Sequence, residues 1–364
     1  MSIKYNGGYI PAVGADGTTL VADSSTSTGL RYTAGTVQSN PVLNSAFSVW
    51  QRGTSISLPA SSYNVYTADR WTTATGVNQA CTVSRQATGD TTNLPNIQYA
   101  ARYQRNSGQT GTASINFIST METINSIPFA GKTVTMSYYA RAGANYSAAS
   151  NALSAYIATG TGTDQNVYVS YTGAATPLSS AATLTTTWQR FTATGTFAST
   201  ATEYYIAFQW VPTGTAGAND YVEVTGVQID IGSVALPFRT NAPTLQGELT
   251  ACQRYYYRLG GAATYETFAQ VVWTSTTAGT AFLKTAQTLR TNNPSIEFAS
   301  LRALVYSTAG VAVNSVSNVT LTQNANGNFF NLSVTAAGSM VTGFTGWIDS
   351  NGTTAGYLAL SSEL

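Results

Sequence analysis

The sequence has no histidine, only two cysteines and few charged residues, and each scarcity removes a class of function. Without histidine the chain lacks the commonest general base and every Ser-His or Cys-His catalytic pair. Cys81 and Cys252 alone cannot form a usual structural zinc site, so we expect two buried free thiols. Charged residues make up 9% of the chain, the formal net charge is +1 and the arginines are scattered. This composition argues against nucleic-acid binding.

Long apolar segments are absent as well. The first residues, MSIKYNGGYIPAVGADG, lack the apolar core of a signal peptide. No apolar run approaches the roughly 20 residues that span a bilayer. We therefore expect synthesis in a cytoplasm without membrane insertion. Disorder is not expected, because disordered chains are usually poor in aromatic residues, whereas this chain has 22 tyrosines.

The composition, the turn signals and the spacing of apolar residues predict an all-β protein with an N-terminal arm, an antiparallel jelly-roll β-sandwich, a short connecting helix and a second antiparallel β-sandwich. Residues 1–38 form the arm, which is rich in Gly, Ser and Thr. About ten short strands separated by turn signals occupy residues 39–240. Residues 241–259 contain the helix, and residues 260–364 form the C-terminal domain.

The segment 221–259 joins the two β-regions. Apolar residues alternate along its first part, and Gly226 interrupts them as a β-bulge would. In its second part apolar residues recur at intervals of four, three and four, which predicts one helical stripe. The stripe consists of Leu245, Leu249, Cys252 and Tyr256. It is too short for an independent coiled coil, but it could pack around a three-fold axis, and we expect a homotrimer.

Several segments resemble bacteriophage virion proteins. The succession NPVLNSAFSVWQRGTS, ADRW, TVTMSYYARA, TWQRFTATGTF and VEVTGVQIDIGSVALPF is similar to a carbohydrate-binding-module-type jelly roll that recurs in such proteins. The helix that follows it there is matched by Glu248, Leu249, Cys252, Arg254, Tyr255 and Tyr256. A short β-motif of phage fibres resembles the arm at Gly14, Gly17, Leu20, Ala22, Asp23, Ser24, Gly29, Leu30 and Tyr32.

This resemblance implies a non-enzymatic structural protein of the virion surface, made in the host bacterial cytoplasm. A tail fibre or receptor-binding component that contacts host surface glycans is the first interpretation, and a capsid decoration or head-fibre protein is the alternative. The arm would bind other virion proteins. Modules of this type often hold a structural calcium with an acidic residue directly after Asn-x-x-Phe. Here Ser48 follows Phe47, which leaves Asp230 as a ligand only if a calcium is retained.

Two groups of side chains are candidates for function. Tyr139, Arg141, Tyr156 and Tyr168 fall on the polar faces of three predicted strands, in residues 133–143, 152–159 and 166–171. If these strands are neighbours, the rings form a platform that stacks on sugars; the alternative is tyrosines at an ordinary sheet surface or a subunit interface.

The second group is the densest set of acidic residues, Asp220, Glu223 and Asp230. A polysaccharide-degrading tailspike enzyme, the third and least favoured hypothesis, would need two such carboxylates at a defined separation. No phosphate-binding loop or cluster of metal-ligating residues accompanies them in the sequence.

Overall fold

The computed structural model describes residues 39–324 and 327–364, and before them residues 4–5, 8–9, 18–22, 27 and 29–34. Most of the predicted arm, including Gly14, Gly17, Asp23 and Ser24 of the fibre-like motif, lies outside the described residues. The strands before residue 39 are β1 (Lys4–Tyr5), β2 (Gly8–Tyr9), β3 (Thr18–Ala22) and β4 (Leu30–Ala34). Two antiparallel pairs result, β1 with β2 and β3 with β4.

Twelve strands follow between residues 55 and 231. They are β5 (Ser55–Leu58), β6 (Val65–Tyr66), β7 (Thr72–Ala74), β8 (Cys81–Ala87), β9 (Tyr99–Arg105), β10 (Ile115–Thr120), β11 (Thr133–Ala142), β12 (Ala152–Gly160), β13 (Ala175–Thr183), β14 (Gln189–Thr196), β15 (Glu203–Trp210) and β16 (Tyr221–Ile231). A four-residue helix, α1 (Thr123–Ser126), follows β10, and 3₁₀ turns cover Ile127–Phe129, Ala149–Asn151 and Val167–Val169.

These twelve strands form two six-stranded antiparallel sheets, which we call the sandwich. The first sheet has the order β13-β12-β15-β10-β7-β6 and the second the order β14-β11-β16-β9-β8-β5. Phe47, Trp71, Phe117 and Phe208 pack between them, with ring centroids 4.8–6.1 Å apart. The predicted all-β fold with an antiparallel sandwich is therefore confirmed.

The predicted core positions also agree with the structure. Four tryptophans, three further residues of strand β15 and four of strand β11 were expected inside, and all are buried: Trp50, Trp71, Trp188, Trp210, Tyr204, Ile206, Phe208, Val134, Met136, Tyr138 and Ala140. Both cysteines are buried free thiols, as predicted. The bulge is confirmed too, because the register between β11 and β16 shifts around Gly226.

The second helix, α2 (Leu245–Gln253), begins after Pro243 and is capped by Thr244, whose Oγ1 accepts a hydrogen bond from the Gly247 amide at 3.1 Å. The prediction that this helix extends through Tyr256 is wrong, since Tyr256 starts the next strand and pairs with Ser361. Within the predicted stripe Leu245 is 63% exposed, Leu249 is half-buried and Cys252 is buried. The four residues therefore do not share one exposed helical face.

Glu248 is also buried, although it does not belong to the predicted apolar stripe. Its carboxylate accepts hydrogen bonds from the Asn44 amide at 3.1 Å and the Ala242 amide at 2.9 Å. A buried carboxylate is tolerated when such donors replace water. The face of α2 that contains Glu248 and Cys252 therefore packs against the sandwich, and this orientation could not be read from apolar spacing alone.

The C-terminal strands are β17 (Tyr256–Gly260), β18 (Thr267–Trp273), β19 (Ala278–Lys284), β20 (Ser295–Ala299), β21 (Arg302–Ser307), β22 (Gly310–Asn324), β23 (Phe329–Ala336), β24 (Thr345–Asp349) and β25 (Tyr357–Ser361). We call this region the C-terminal unit. As predicted, its strands are antiparallel. Six of them close into a barrel, β18-β19-β23-β22-β21-β24, and β17-β25-β20 form a small sheet. The second β-sandwich expected here is therefore a closed barrel with a small sheet beside it. Closure removes exposed strand edges, and local sequence pattern does not indicate it.

None of the described helices is long and apolar enough to cross a membrane.

Candidate functional site

The structure does not bring the four predicted sugar-binding residues together. Tyr139 and Arg141 lie on β11 in the second sheet, whereas Tyr156 lies on β12 in the first sheet. Tyr168 lies in the turn Val167–Val169, so the predicted strand at residues 166–171 is wrong. The Asn166 side chain accepts a hydrogen bond from the Tyr168 amide at 2.9 Å, and such local bonds compete with strand formation.

Tyr139 and Arg141 belong to a cluster of intramolecular contacts on the outer face of the second sheet. Arg141 forms an ion pair with Glu223 and lies 4.8 Å from the centroid of the Trp188 ring. Tyr139 is half-buried against an apolar cluster that includes Trp188. Because their side chains are used in packing and ion pairing, this pair forms a poor surface for stacking on a ligand.

Tyr156 and Tyr168, by contrast, lie on one surface. A cross-strand row runs over five neighbouring strands of the first sheet, with each residue the register partner of the next: Tyr66, Thr72, Ile118, Ala207 and Tyr156. Register partners project to the same side of a sheet. Tyr205, two residues before Ala207, projects to that side as well. The row therefore lies on the outer face of the first sheet, opposite the core, where its three central residues, Thr72, Ile118 and Ala207, are themselves buried.

The segment between β12 and β13 adds two further tyrosines to this face. Tyr171 contacts Tyr205 with ring centroids 5.2 Å apart, and Tyr168 contacts Tyr63 at 4.5 Å. The Tyr63 hydroxyl donates to the Tyr168 carbonyl at 2.8 Å. We call the resulting surface the tyrosine face, and it consists of Tyr63, Tyr66, Tyr156, Tyr168, Tyr171 and Tyr205.

The rings of the tyrosine face differ in their exposure. Tyr63 is 62% exposed and Tyr171 is buried, while the other four are half-buried. Burial raises the pKa of Tyr168 well above its ordinary value, and Tyr66 and Tyr63 raise it further. The Tyr168 phenol therefore remains protonated at neutral pH, and the exposed and half-buried rings of the face offer apolar surface for contact.

Sequence reasoning found two of these six residues. Tyr205 had a signal, because it alternates with the correctly placed core residues Tyr204 and Ile206. Tyr63 and Tyr66 had none, since they lie around a two-residue strand that shows no periodicity.

A cleft of about 540 Å³ lies between the sandwich and the C-terminal unit, and it begins where the tyrosine face ends. We call it the inter-unit cleft. Its lining includes Arg52, Asn64, Tyr66 and Asn166 from the sandwich, and Ser295, Glu297, Ser361 and Glu363 from the C-terminal unit.

Charged and aromatic side chains hold the two units together beside this cleft. Glu363 forms ion pairs with Arg70 and, at 3.4 Å, with Arg52. The Arg52 guanidinium lies 3.4 Å from the centroid of the Tyr256 ring and 5.2 Å from that of Tyr66. Burial, followed by the negative charge of Glu363, raises the pKa of Tyr66 to about 12. Tyr66 therefore stays a neutral donor, and its hydroxyl donates to the Leu364 oxygen at 2.9 Å.

The acidic residues considered for catalysis are all held by arginines. Asp220 contacts Arg105 at 2.7 Å, and both side chains are buried. Glu223 lies between Arg102, at 2.6 Å, and Arg141. Two carboxylates fixed in this way are poorly suited to the proton transfers of glycoside hydrolysis.

Asp230, the residue considered for calcium, is similarly engaged. One carboxylate oxygen contacts Arg239 at 2.7 Å. The other accepts hydrogen bonds from the Gln228 side chain at 2.8 Å and the Leu236 amide at 3.0 Å. A calcium ion would have to displace Arg239, so these residues do not fit a calcium site. No group of three or more His, Cys, Asp or Glu side chains within the described ranges could hold a metal ion.

No protein-family model matches the chain, and no curated protein matches it. Solved structures that resemble it include a CBM4 structure, which is 21% identical, with 36% of this chain and 71% of that chain covered and a TM-score of 0.27. Another is the C-terminal family 22 carbohydrate binding module of Clostridium thermocellum Xyn10B, which is 11% identical. This match covers 49% of the present chain and 100% of that chain, with a TM-score of 0.29.

A third is the enzymatically active domain of tailspike protein 4 of bacteriophage CBA120, at 13% identity and a TM-score of 0.31. This match covers 53% of the present chain and 21% of the tailspike chain. At these identities and TM-scores, the likeness carries no function over to this protein.

Proposed function

We propose that this protein is a non-enzymatic component of a bacteriophage virion surface that binds a saccharide through its tyrosine face. The observation that carries the saccharide-binding part is the tyrosine face on the outer side of the first sheet, where five of the six rings are exposed or half-buried. Flat aromatic rings pack on the apolar faces of sugar rings, while their hydroxyls hydrogen-bond at the edges. The virion part is supported by the resemblance of residues 39–258 to phage proteins.

The scarcity of charge agrees with this proposal. A neutral sugar offers hydroxyl groups and apolar ring faces, which Ser, Thr, Asn and Tyr side chains match without desolvating an ion. The non-enzymatic part is supported by the arginine ion pairs of Asp220 and Glu223. In this proposal the arm attaches the protein to other virion proteins and the chain forms a homotrimer, most simply as a tail fibre or receptor-binding component.

A glycan array tests the saccharide-binding part. We expect wild-type protein to bind a neutral glycan and Tyr63→Ala to weaken that binding about fivefold, because a ring contact contributes roughly 1 kcal/mol. Tyr306→Ala is the matched control, since Tyr306 is 55% exposed but lies on the barrel. Absence of binding to every glycan, or equal losses in the two variants, would contradict the proposal.

A further inference from the structure

We propose that the inter-unit cleft is the selective part of the saccharide site and holds a neutral sugar residue adjacent to the one that stacks on the tyrosine face. This inference rests on the proposed function and makes it more specific, because it assigns part of ligand selection to the C-terminal unit. The residue that we assign to selection is Glu297.

The cleft and the tyrosine face are continuous. Tyr66 ends the cross-strand row of the first sheet and also lines the cleft. Asn166 lines the cleft as well, and it caps the turn that positions Tyr168. A volume of about 540 Å³ is within the usual range of small-molecule sites, roughly 300–1,000 Å³. An oligosaccharide stacked on the tyrosines can therefore place its next residue in the cleft.

The charges around the cleft favour a neutral ligand. Arg52, Glu297 and Glu363 line the cleft, and the buried Arg70, which does not line it, pairs with Glu363, so the charges of these four side chains cancel. Glu363 is already shared by the two arginines. An anionic sugar would bring its charge towards Glu297, and a cationic sugar would bring its charge towards Arg52. Glu297 has no ion-pair partner, but a cationic sugar that approaches it is opposed by the charge of Arg52 in the same cleft, and an anionic sugar is opposed by Glu297 while Arg52 is engaged by Glu363.

Glu297 has the remaining capacity to accept hydrogen bonds. One of its carboxylate oxygens accepts a single bond from the Tyr256 hydroxyl at 3.1 Å. Among the residues that the structure describes, no basic side chain forms an ion pair with Glu297. An ionised carboxylate accepts only, and sugar hydroxyls are donors that suit it. Glu297 therefore selects for a hydroxyl group placed at the right position on the sugar.

The location of Glu297 explains why a composite site results. It lies on β20, which pairs with β25 in the small sheet of the C-terminal unit. The tyrosines that stack on the ligand belong to the sandwich. The ion pairs of Glu363 hold the two units against each other. While this interface is closed, one ligand can both stack on the tyrosines and donate a hydroxyl hydrogen bond to Glu297.

The experiment measures binding of full-length protein to immobilised neutral hexasaccharides of glucose, galactose, mannose and xylose, with an oligogalacturonate and a chitosan oligosaccharide as charged probes. We expect Glu297→Gln to weaken the preferred neutral ligand by about tenfold, the loss typical of a hydrogen bond to a charged acceptor. Ser295→Trp, which fills the cleft from an exposed position, should give a similar or larger loss. Glu266→Gln, a carboxylate of the same unit outside the cleft, should match wild type.

The outcomes separate the two proposals. If Tyr63→Ala weakens binding while Glu297→Gln and Ser295→Trp do not, the inference about the cleft is overturned and the proposed function stands. Preference for either charged probe also overturns the inference. If wild-type protein binds none of the saccharides, the proposed function itself fails.

Discussion

Arg70 and Glu363 form an ion pair although they lie 293 positions apart in the chain, and the side chains are only 2% and 5% exposed. Arg70 follows the sandwich strand β6, and Glu363 follows β25 of the C-terminal unit. The Arg70 guanidinium also donates to the Thr120 carbonyl at 2.7 Å and lies 3.6 Å from the centroid of the Tyr255 ring. The pair therefore connects the two units through buried groups on both sides.

Replacing Glu363 with alanine should lower the free energy of unfolding by about 3–5 kcal/mol, because the change leaves Arg70 buried without its counter-ion. Urea denaturation monitored by tryptophan fluorescence measures this loss. Glu266→Ala is the control, since Glu266 accepts a bond from an exposed amide at 3.2 Å. We expect that control to stay within about 0.5 kcal/mol of wild type. A Glu363→Ala protein as stable as wild type would show that the buried pair contributes nothing to stability.

Asp69 should make the protein less stable as the pH rises from about 4 to 6. Burial raises the pKa of its carboxyl from 3.8 to about 6, although hydrogen bonds from Gln51 partly oppose the shift. Between these two values the folded protein binds the proton and the unfolded chain does not, so stability is lost as the pH increases through the folded pKa. A difference of about two pKa units corresponds to roughly 3 kcal/mol.

The comparison of wild type with Asp69→Asn isolates this effect. Both proteins are unfolded with urea at several pH values from about 2.8 to about 7, which extends about one unit on either side of the two pKa values. The variant loses a hydrogen bond at every pH, so its absolute stability is not informative. The informative quantity is the difference between the two proteins, which should change by roughly 3 kcal/mol across this range. A pH-independent difference would contradict the prediction.

Gly226→Ala should destabilise the sandwich by about 2–4 kcal/mol, through backbone strain and overpacking together. Gly226 has a φ of +58°, and a Cβ there would lie 2.8 Å from both the Tyr139 ring and the Ile97 side chain. Gly89 is a matched control, with a φ of +65° and no atom within 4 Å of its Cβ position. Gly89→Ala should cost only the strain, about 1–2 kcal/mol. Equal losses in thermal unfolding would exclude a contribution from the contact with Tyr139.

The parts of the fold that depend on local pattern could be predicted from the sequence. Alternation placed the β11 and β15 core residues correctly, and Gly226 marked the bulge because only glycine adopts that backbone conformation readily. Local pattern failed where a side chain bonded to the backbone, as at Asn166. It also failed where pairing with a distant strand determined the structure of a segment, since Tyr256 pairs with Ser361 instead of continuing the helix.

The candidate site was harder to predict because its residues come together only through the pairing of distant strands. Tyr66 and Tyr156 belong to one row only because three strands lie between theirs in the sheet. The assumption that β11 and β12 are neighbours had no support in the sequence, and in the structure they belong to different sheets. The inter-unit cleft depends in addition on how the sandwich and the C-terminal unit pack against each other. The periodicity of apolar residues contains no information about that packing.

The proposed homotrimer predicts a mass in solution three times the chain mass of 38.2 kDa. Light scattering on purified full-length protein measures it, and a monomeric mass would contradict the proposal. Labelling intact particles with an antibody against the protein then distinguishes tail from head. Signal confined to the head shell would favour the capsid decoration or head-fibre alternative.

The two buried thiols should report separately on the sandwich and on the contact between units. Burial raises the pKa of Cys81 to about 12 and that of Cys252 well above its ordinary value. Native protein should therefore resist iodoacetamide at neutral pH, because thiolate is scarce and access is closed. Cys81 belongs to the sandwich core, whereas Cys252 lies on α2 close enough to Arg70 and Glu363 to be affected by their charges.

In Glu363→Ala, local opening at the interface should expose Cys252 without unfolding the sandwich core. We expect Cys252 to be alkylated at least about tenfold faster than Cys81 in this variant, which corresponds to about 1.4 kcal/mol of differential protection. Mass spectrometry of the two cysteine peptides measures both rates in one sample, with Glu266→Ala as the control. Equal alkylation rates for the two thiols in Glu363→Ala would mean that they become accessible only by global unfolding. The interface would then have no opening of its own that could affect a ligand held between the units.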